Sequence, residues 1–166
     1  MGGRVLLLLL GALVLAGCAG TEPQDKFESK GPPPGSTLLY IYRPRTIVGI
    51  GNMDVPIVHL DGRRIGRIRI GGYYVIPVPP GQHRLTTTES LLGNDTGKIR
   101  GDTRFSIAAG STLYLRYTEG FKSITAIPIS HAGVFVESTG DYRFEGVVPA
   151  EATTDIAGLT ALAIEK

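Results

Sequence analysis

The strongest chemical signal in this 166-residue sequence is a run of arginines, with Arg63, Arg64, Arg67 and Arg69 inside seven positions. Because side chains alternate along a strand, Arg67 and Arg69 are expected to share one face. Planar guanidinium groups bind phosphate and carboxylate through paired N–H donors, so lipid headgroups, lipopolysaccharide and acidic glycans are suitable ligands. The alternative is a solvated face that protects an edge strand from aggregation. The predicted anionic-ligand patch consists of Arg43, Arg45, Arg64, Arg67 and Arg69.

The three histidines are too far apart in the sequence to suggest a metal site. His59, His83 and His131 are separated by 24 and 48 residues, and Cys18 is the only cysteine. Zinc sites usually contain two closely spaced ligands, so neither a metal nor a cofactor is expected. His59 and His83 fall in predicted strands, where hydrogen-bonded structural histidines are expected. The alternative is an envelope hydrolase with one of them as general base, although no serine lies in a Gly-x-Ser-x-Gly sequence.

Two further groups of residues are interpreted as structural. Residues 93–98 (GNDTGK) have one residue too few between their glycines for a phosphate-binding loop, and they are predicted to form an exposed loop between two strands. Tyrosines can stack on sugars, but in an all-β protein they more often lie at the core or its rim. The tyrosines interpreted in this way are Tyr40, Tyr42, Tyr73, Tyr74, Tyr114 and Tyr117.

The N-terminal residues predict export and lipid attachment. Residues 5–15 form an aliphatic run that follows the positive Arg4; a helix that crosses a bilayer needs about 20 residues, so a secretion signal fits better. The next residues, Leu15, Ala16, Gly17 and Cys18, resemble the bacterial lipobox. This resemblance implies that residues 1–17 are a cleaved signal peptide and that lipid on Cys18 makes the membrane a partner. Ala19, where many inner-membrane lipoproteins have aspartate, favours the outer membrane facing the periplasm.

The segment after the signal is expected to be a flexible tether. Removal of residues 1–17 leaves 149 residues with 16 basic and 15 acidic side chains, a balance that gives no support for nucleic-acid binding. Residues 18–36 are polar and end in KGPPPGS, so they cannot bury enough apolar surface to become ordered. As a flexible coil, the eighteen residues 19–36 would extend over roughly 23 Å. The folded domain is therefore predicted to span residues 37–166.

Short β patterns recur through this domain between turn signals. The Asp61-Gly62 pair is a strong hairpin signal. Residues 149–157, with Pro149 in the first turn and Gly158 just after the last, predict a short helix; residues 159–164 would form a last strand or extend the helix. The fold class predicted is all-β, an antiparallel β-sandwich of about eight short strands with a short C-terminal helix. Strands are predicted at residues 37–43, 55–60, 64–70, 73–78, 82–88, 103–108, 112–118, 123–129 and 133–138.

Five blocks of sequence, taken in order, resemble a known bacterial family. The resemblance is to the family called domain of unknown function 2846, over about residues 37–126, and it implies no catalytic residue. The Pro-Pro-Gly-Gln-His block is also similar to PEGA-type and carboxypeptidase-regulatory-like sandwiches. The blocks are Leu39-Tyr-Ile-Tyr-Arg-Pro44, Val58-His-Leu-Asp-Gly62, Gly71-Gly-Tyr-Tyr-Val75, Pro79-Pro-Gly-Gln-His83 and Ala109-Gly-Ser-Thr-Leu-Tyr114.

These observations together predict a membrane-anchored, non-enzymatic accessory or binding module of the cell envelope. Its expected partners are the membrane, through the lipid on Cys18, and an envelope protein or an anionic lipid or glycan. A hydrolase and a subunit of a larger envelope assembly remain the alternative functions.

Overall fold

The computed structural model describes Phe27, Ser29 and residues 31–45, 55–119, 127–129 and 134–165. The predicted signal peptide, most of the tether and His131 lie outside the described residues. So do the predicted processing and lipidation residues Leu15, Ala16, Gly17 and Cys18.

The described part of the chain contains eleven strands and one helix. The helix is α1 (Pro149–Ile156). The strands are β1 (Thr37–Arg43), β2 (Ile57–Leu60), β3 (Arg63–Arg67), β4 (Gly72–Val78), β5 (Gly81–Leu91), β6 (Asn94–Ile107), β7 (Thr112–Glu119), β8 (Ile127–Ile129), β9 (Val134–Gly140), β10 (Tyr142–Val147) and β11 (Thr160–Ala161).

The strands form two sheets that pack as a sandwich, as the sequence predicts. The first sheet has the order β10-β7-β1-β4-β11, and the second has the order β3-β2-β5-β6-β9-β8. The expectation that all pairs are antiparallel is wrong for two of them, because β1 runs parallel to β7 and β4 runs parallel to β11. In each case the chain passes through other elements before it returns, and parallel neighbours require such a long connection.

Strand β1 is the centre of the first sheet and is buried on both faces. All seven of its residues are buried. Leu39 and Ile41 point into the core between the sheets, whereas Tyr40 and Tyr42 point to the opposite face. Helix α1 covers that face and contributes Ile156 to its apolar cluster. The sandwich therefore has a third, partial layer outside the first sheet.

The start of the described chain packs beside this helix. The ring of Phe27 stands edge-on to Tyr40 and Tyr73, with centroid distances of 5.6 and 5.7 Å. The hydroxyls of Ser29 and Tyr114 are 2.6 Å apart. These two residues of the predicted tether therefore contact the domain. The tyrosines belong to the core and its rim, as predicted.

The network around Arg116 connects α1 to the first sheet. Its guanidinium lies 2.7 Å from Glu145 on β10, and 2.6 and 3.1 Å from Glu151 and Asp155 on α1. The Tyr42 hydroxyl donates to the same Asp155 carboxylate over 2.8 Å. Helix α1 begins at Pro149 as the sequence predicts, and this ion-pair network determines which face it turns to the sheet.

Strand β6 is much longer than the sequence predicts, and β10 was not predicted at all. Residues 93–98, expected to be a loop between two strands, form the far end of the β5–β6 hairpin. The chain leaves the second sheet after β9 and enters the first as β10, passing directly over Gly101. A Cβ atom on Gly101 would lie 1.6 Å from the carbonyl oxygen of Tyr142. Only glycine permits this close approach.

The C-terminal residues close the open side of the sandwich. The N–H of Leu162 donates to Tyr73 of β4 over 2.8 Å, and that of Glu165 donates to Ile65 of β3 over 2.8 Å. The side chains of Leu162 and Ile164 pack against the core between the sheets. The segment after α1 is therefore a strand followed by an extended closing segment. Among the described residues, no helix is long and apolar enough to cross a membrane.

We expect Leu162→Asp to lower the free energy of unfolding by about 2 kcal/mol, because it places a carboxylate against the core. Ala163→Asp is the matched control, since Ala163 is exposed and most surface substitutions stay within about 0.5 kcal/mol. Urea unfolding of both variants measures the difference. Equal stabilities would show that the closing segment does not support the core.

Candidate functional site

Arg43, predicted as part of the anionic-ligand patch, is instead buried and has no exposed surface. Its guanidinium lies 2.5 Å from Glu119, donates to the carbonyl of Ile68 over 3.2 Å and sits 4.9 Å above the ring of Tyr117. Its residue type placed Arg43 in the predicted patch, but the sequence could not show that β1 is covered on both faces. Arg43 is therefore a structural residue that connects the end of β1 to the β3–β4 connection.

The other four predicted patch residues have three different environments. Arg64 pairs with Glu165 at 2.8 Å. Arg45 is exposed and donates to the carbonyl of Gly158 over 2.9 Å. Arg67 and Arg69 line a common cavity of about 240 Å³. No carboxylate pairs with Arg45, Arg67 or Arg69 in the described part of the chain, so these three form the remaining basic cluster.

Tyr74 forms one wall of the small cavity between Arg67 and Arg69. Its hydroxyl donates to the carbonyl of Arg67 over 2.9 Å. Burial raises the pKa of Tyr74 to about 12, with a further contribution from the charge of Glu165. The phenol therefore stays neutral at physiological pH and remains a donor that supports the end of β3.

The end of the β5–β6 hairpin lies against β2 and β3, close to these arginines. Arg67 donates from Nη2 to the carbonyl of Gly93. The Nε2 atom of His59 lies 3.1 Å from the carboxylate of Asp95. These two contacts attach the hairpin end to the neighbouring strands. We call the end of the sandwich where β1 ends and this hairpin projects the arginine end, with Arg45, Arg69, Ile70, Leu91 and Leu92 as its exposed residues.

His83 is held by hydrogen bonds at both ring nitrogens. Nδ1 lies 2.7 Å from the carboxylate of Asp61, and Nε2 lies 2.9 Å from the carbonyl oxygen of Pro79. The ring also stacks on Phe105 with a centroid distance of 5.4 Å. Asp61 lies in the β2–β3 turn and Pro79 follows β4, so the histidine joins two turns. The prediction of structural histidines is confirmed for His59 and His83.

A larger open cavity of about 600 Å³ lies beside His83, at the end of the sandwich opposite the arginine end. We call this the cavity end. Its floor is formed by strands β5 and β6, whose register places Gln82 opposite Ser106 and Arg84 opposite Arg104. The lining residues are Asp61, Gln82, His83, Arg84, Arg104, Phe105 and Ser106.

The charges in this cavity are incompletely balanced. Arg84 forms a two-pronged contact with Asp102, at 2.9 Å from Nε and 2.6 Å from Nη2. Arg104 is exposed and has no ion pair within the described residues, although its register partner on β9 is Glu137. Arg104 therefore presents N–H donors to the cavity, whereas the guanidinium of Arg84 is already held by Asp102.

Among the described residues, no group of three or more His, Cys, Asp or Glu side chains could hold a metal ion. His59 and His83 each contact one carboxylate, Asp95 and Asp61 respectively.

A sequence model of the family described as "Protein of unknown function (DUF2846)" matches residues 33–132, more than half of the chain. The chain belongs to the DUF2846 family. The match includes β1 to β8 and therefore both the cavity and the arginine end of this DUF2846 chain. The C-terminal closing segment and α1 lie beyond it. No curated protein and no solved structure matches the chain.

The cavity of this DUF2846 protein was not predicted from its sequence. Arg84, Asp102 and Arg104 are spread over twenty-one positions, and only the β5–β6 register brings them together. The one available signal was the Pro-Pro-Gly-Gln-His block, which begins β5 beside the cavity. The resemblance of that block to other sandwiches carries no information about the charges in the cavity.

We expect His83→Phe to lower the free energy of unfolding by about 1–3 kcal/mol, because it removes both hydrogen bonds but keeps a ring over Phe105. Gln82→Ala, at the exposed neighbouring position, is the control and should change little. Urea unfolding gives both values. An unchanged stability of His83→Phe would contradict the structural role.

Hydrogen bonds from Arg84 and its charge hold the pKa of Asp102 below its usual value despite partial burial. A carboxylate with a depressed folded pKa stabilises the fold above its unfolded pKa of about 4, and this contribution is lost as the pH falls through the folded pKa. We therefore expect Asp102→Asn to be less stable than the wild type at pH 7 and equally stable at strongly acidic pH. Urea unfolding across this pH range tests the expectation, and a constant difference would contradict it.

Proposed function

We propose that this protein is a lipid-anchored, non-enzymatic binding module of the cell envelope, held by lipid on Cys18 and directed at an anionic envelope component through the cavity end. The anchor rests on the Leu15-Ala16-Gly17-Cys18 sequence after an aliphatic run. Ala19 favours the outer membrane, with the domain in the periplasm. The observation that carries the binding role is the guanidinium of Arg104, which lies in an open cavity and has no ion pair among the described residues.

The cavity has the chemistry to bind a carboxylate or phosphate group. Asp102 fixes the position of the Arg84 guanidinium, so little side-chain entropy is lost when a ligand binds. Arg104 supplies a second set of N–H donors, and Gln82 and Ser106 provide neutral polar groups on the same face. Small-molecule sites commonly combine an open concave surface with a few convergent polar groups.

The hydrolase alternative has less support from the geometry of the histidines. A general base needs a free nitrogen within hydrogen-bond distance of the proton that it removes. Both nitrogens of His83 contact acceptors within the protein, and its side chain is only 7% exposed. His59 contacts Asp95 through Nε2, and its Nδ1 atom is buried. Neither imidazole presents an available nitrogen to the cavity.

The anchor can be tested by labelling cells with an alkyne fatty acid. We expect label on the wild-type chain and none on Cys18→Ser, because only the thiol accepts the lipid. The same substitution should release the chain from the membrane fraction. Label that persists on Cys18→Ser would reject the anchor.

The cavity can be tested with a photo-crosslinking amino acid at position 82 of the full-length chain in its native envelope. We expect a defined crosslinked product that Arg104→Glu abolishes, since this change replaces the donor with a repelling charge. Arg69→Glu introduces the same charge change at the opposite end and should leave the product intact. No product from position 82, or a product insensitive to Arg104→Glu, would reject the cavity as the binding site.

A further inference from the structure

The arginine end carries most of the exposed large apolar side chains found in the described part of the chain. Leu91 is 65% exposed and Leu92 is 95% exposed at the hairpin turn, and Ile70 is 38% exposed in the β3–β4 turn. Ile99 is 57% exposed on the adjoining hairpin strand. In contrast, Val148 is the one such residue outside this region among the described residues.

Leu92 occupies a backbone conformation that leucine disfavours. Its φ is 49°, and Gly93 after it has a φ of 85°. Two-residue hairpin turns with positive φ at both positions favour Asn-Gly, whereas a left-handed conformation is unfavourable for a residue such as leucine. Leu92 gains no burial within the chain in return. An unfavourable conformation with an exposed apolar side chain indicates a role outside the folded chain.

Among the described residues, the charges at this end are basic once the internal ion pairs are subtracted. Glu89 pairs with Lys98 and Arg100, the carboxylates of Glu119, Asp141 and Glu165 each pair with an arginine, and Asp95 contacts His59. Arg45 and Arg69 are exposed without a carboxylate partner in the described structure. Apolar side chains surrounded by unpaired arginines are typical of surfaces that enter the interface of anionic membranes.

The described chain also begins close to this end. The ring of Phe27, the first described residue, contacts Tyr40 in the middle of β1 and Tyr73 on β4. Tyr73 pairs with Tyr42, one residue before β1 ends. Cys18 lies nine positions before Phe27, a distance of about 16 Å as a flexible coil or about 30 Å fully extended. A short connection to the lipid therefore starts near the arginine end.

We propose that the arginine end rests on the anionic lipid surface to which Cys18 is anchored, with Leu91 and Leu92 in the interfacial layer and Arg45 and Arg69 at the headgroups. This proposal rests on the lipid anchor of the proposed function. Strand β5 begins beside the cavity and ends at Leu91, and its eleven residues extend for up to about 33 Å. The cavity then faces away from the membrane, towards ligands in the aqueous compartment.

The test uses the full-length lipidated chain in vesicles of phosphatidylglycerol and phosphatidylcholine. Because Cys18 is the only cysteine and its thiol carries the lipid, Leu91→Cys gives a single site for an environment-sensitive fluorophore. Gln82→Cys, at the cavity end, is the matched control. We expect a quencher attached to the lipids to reduce emission at position 91 at least twofold more than at position 82.

Two further changes separate docking from folding. In the Leu91→Cys background, Leu92→Asn gives the favoured Asn-Gly turn, so it should preserve or raise the melting temperature while it reduces quenching. Arg45→Glu with Arg69→Glu, or vesicles of phosphatidylcholine alone, should also reduce quenching. Quenching that is unaffected by these changes would overturn the proposed contact.

Vesicle flotation distinguishes failure of the anchor from failure of the docked orientation. A chain that does not float with the vesicles would reject the lipid anchor and, with it, the orientation. A chain that floats but shows equal quenching at positions 91 and 82 would overturn the orientation alone. It would favour a protein, in place of the membrane, as the ligand of the arginine end.

Discussion

The burial of β1 on both faces is the constraint on which the rest of the structure depends. A strand in the middle of a sandwich sheet normally has one face in the core and the other in water. Here Leu39 and Ile41 occupy the inner face, while Tyr40 and Tyr42 occupy the outer one. Removal of an aromatic side chain from water contributes about 1.5–3 kcal/mol, and this gain requires an outer cover. Helix α1 and Phe27 provide it.

The same constraint determines how charge is accommodated at the end of β1. Arg43 continues a buried strand, so its guanidinium cannot reach water, and an unpaired buried charge is strongly destabilising. Glu119 on the parallel neighbour β7 supplies the opposite charge, and the carbonyl of Ile68 accepts a hydrogen bond. The ion pair thus joins β1 to β7 within the first sheet, and the hydrogen bond to Ile68 joins that sheet to the connection between β3 and β4. These internal contacts also fix the backbone from which the exposed side chains of Arg45 and Arg69 project.

Features set by neighbouring residues could be predicted from the sequence, whereas features set by register could not. The β1 segment, the Asp61-Gly62 turn and the start of α1 at Pro149 are encoded by local pattern, and the structure agrees with them. Arg43 was assigned to a surface patch because its residue type does not reveal what covers it. Phe27 lies in the segment predicted to be a flexible tether, and its partners, Tyr40 and Tyr73, are distant in sequence. The cavity required the pairing of Arg84 with Arg104, which depends on the β5–β6 alignment.

The two parallel pairs have a consequence for the order in which the fold can form. Strand β1 cannot complete its pairing before β7 is present, because Leu38 pairs with Thr112. Strand β4 likewise depends on β11, because Gly72 pairs with Thr160. Contacts between residues so far apart in sequence form slowly, since a long loop must close before they contribute stability. The first sheet therefore stays incomplete until almost the entire chain has been synthesised. The interior between the two sheets is therefore completed only when Leu162 and Ile164, close to the end of the sequence, are in place.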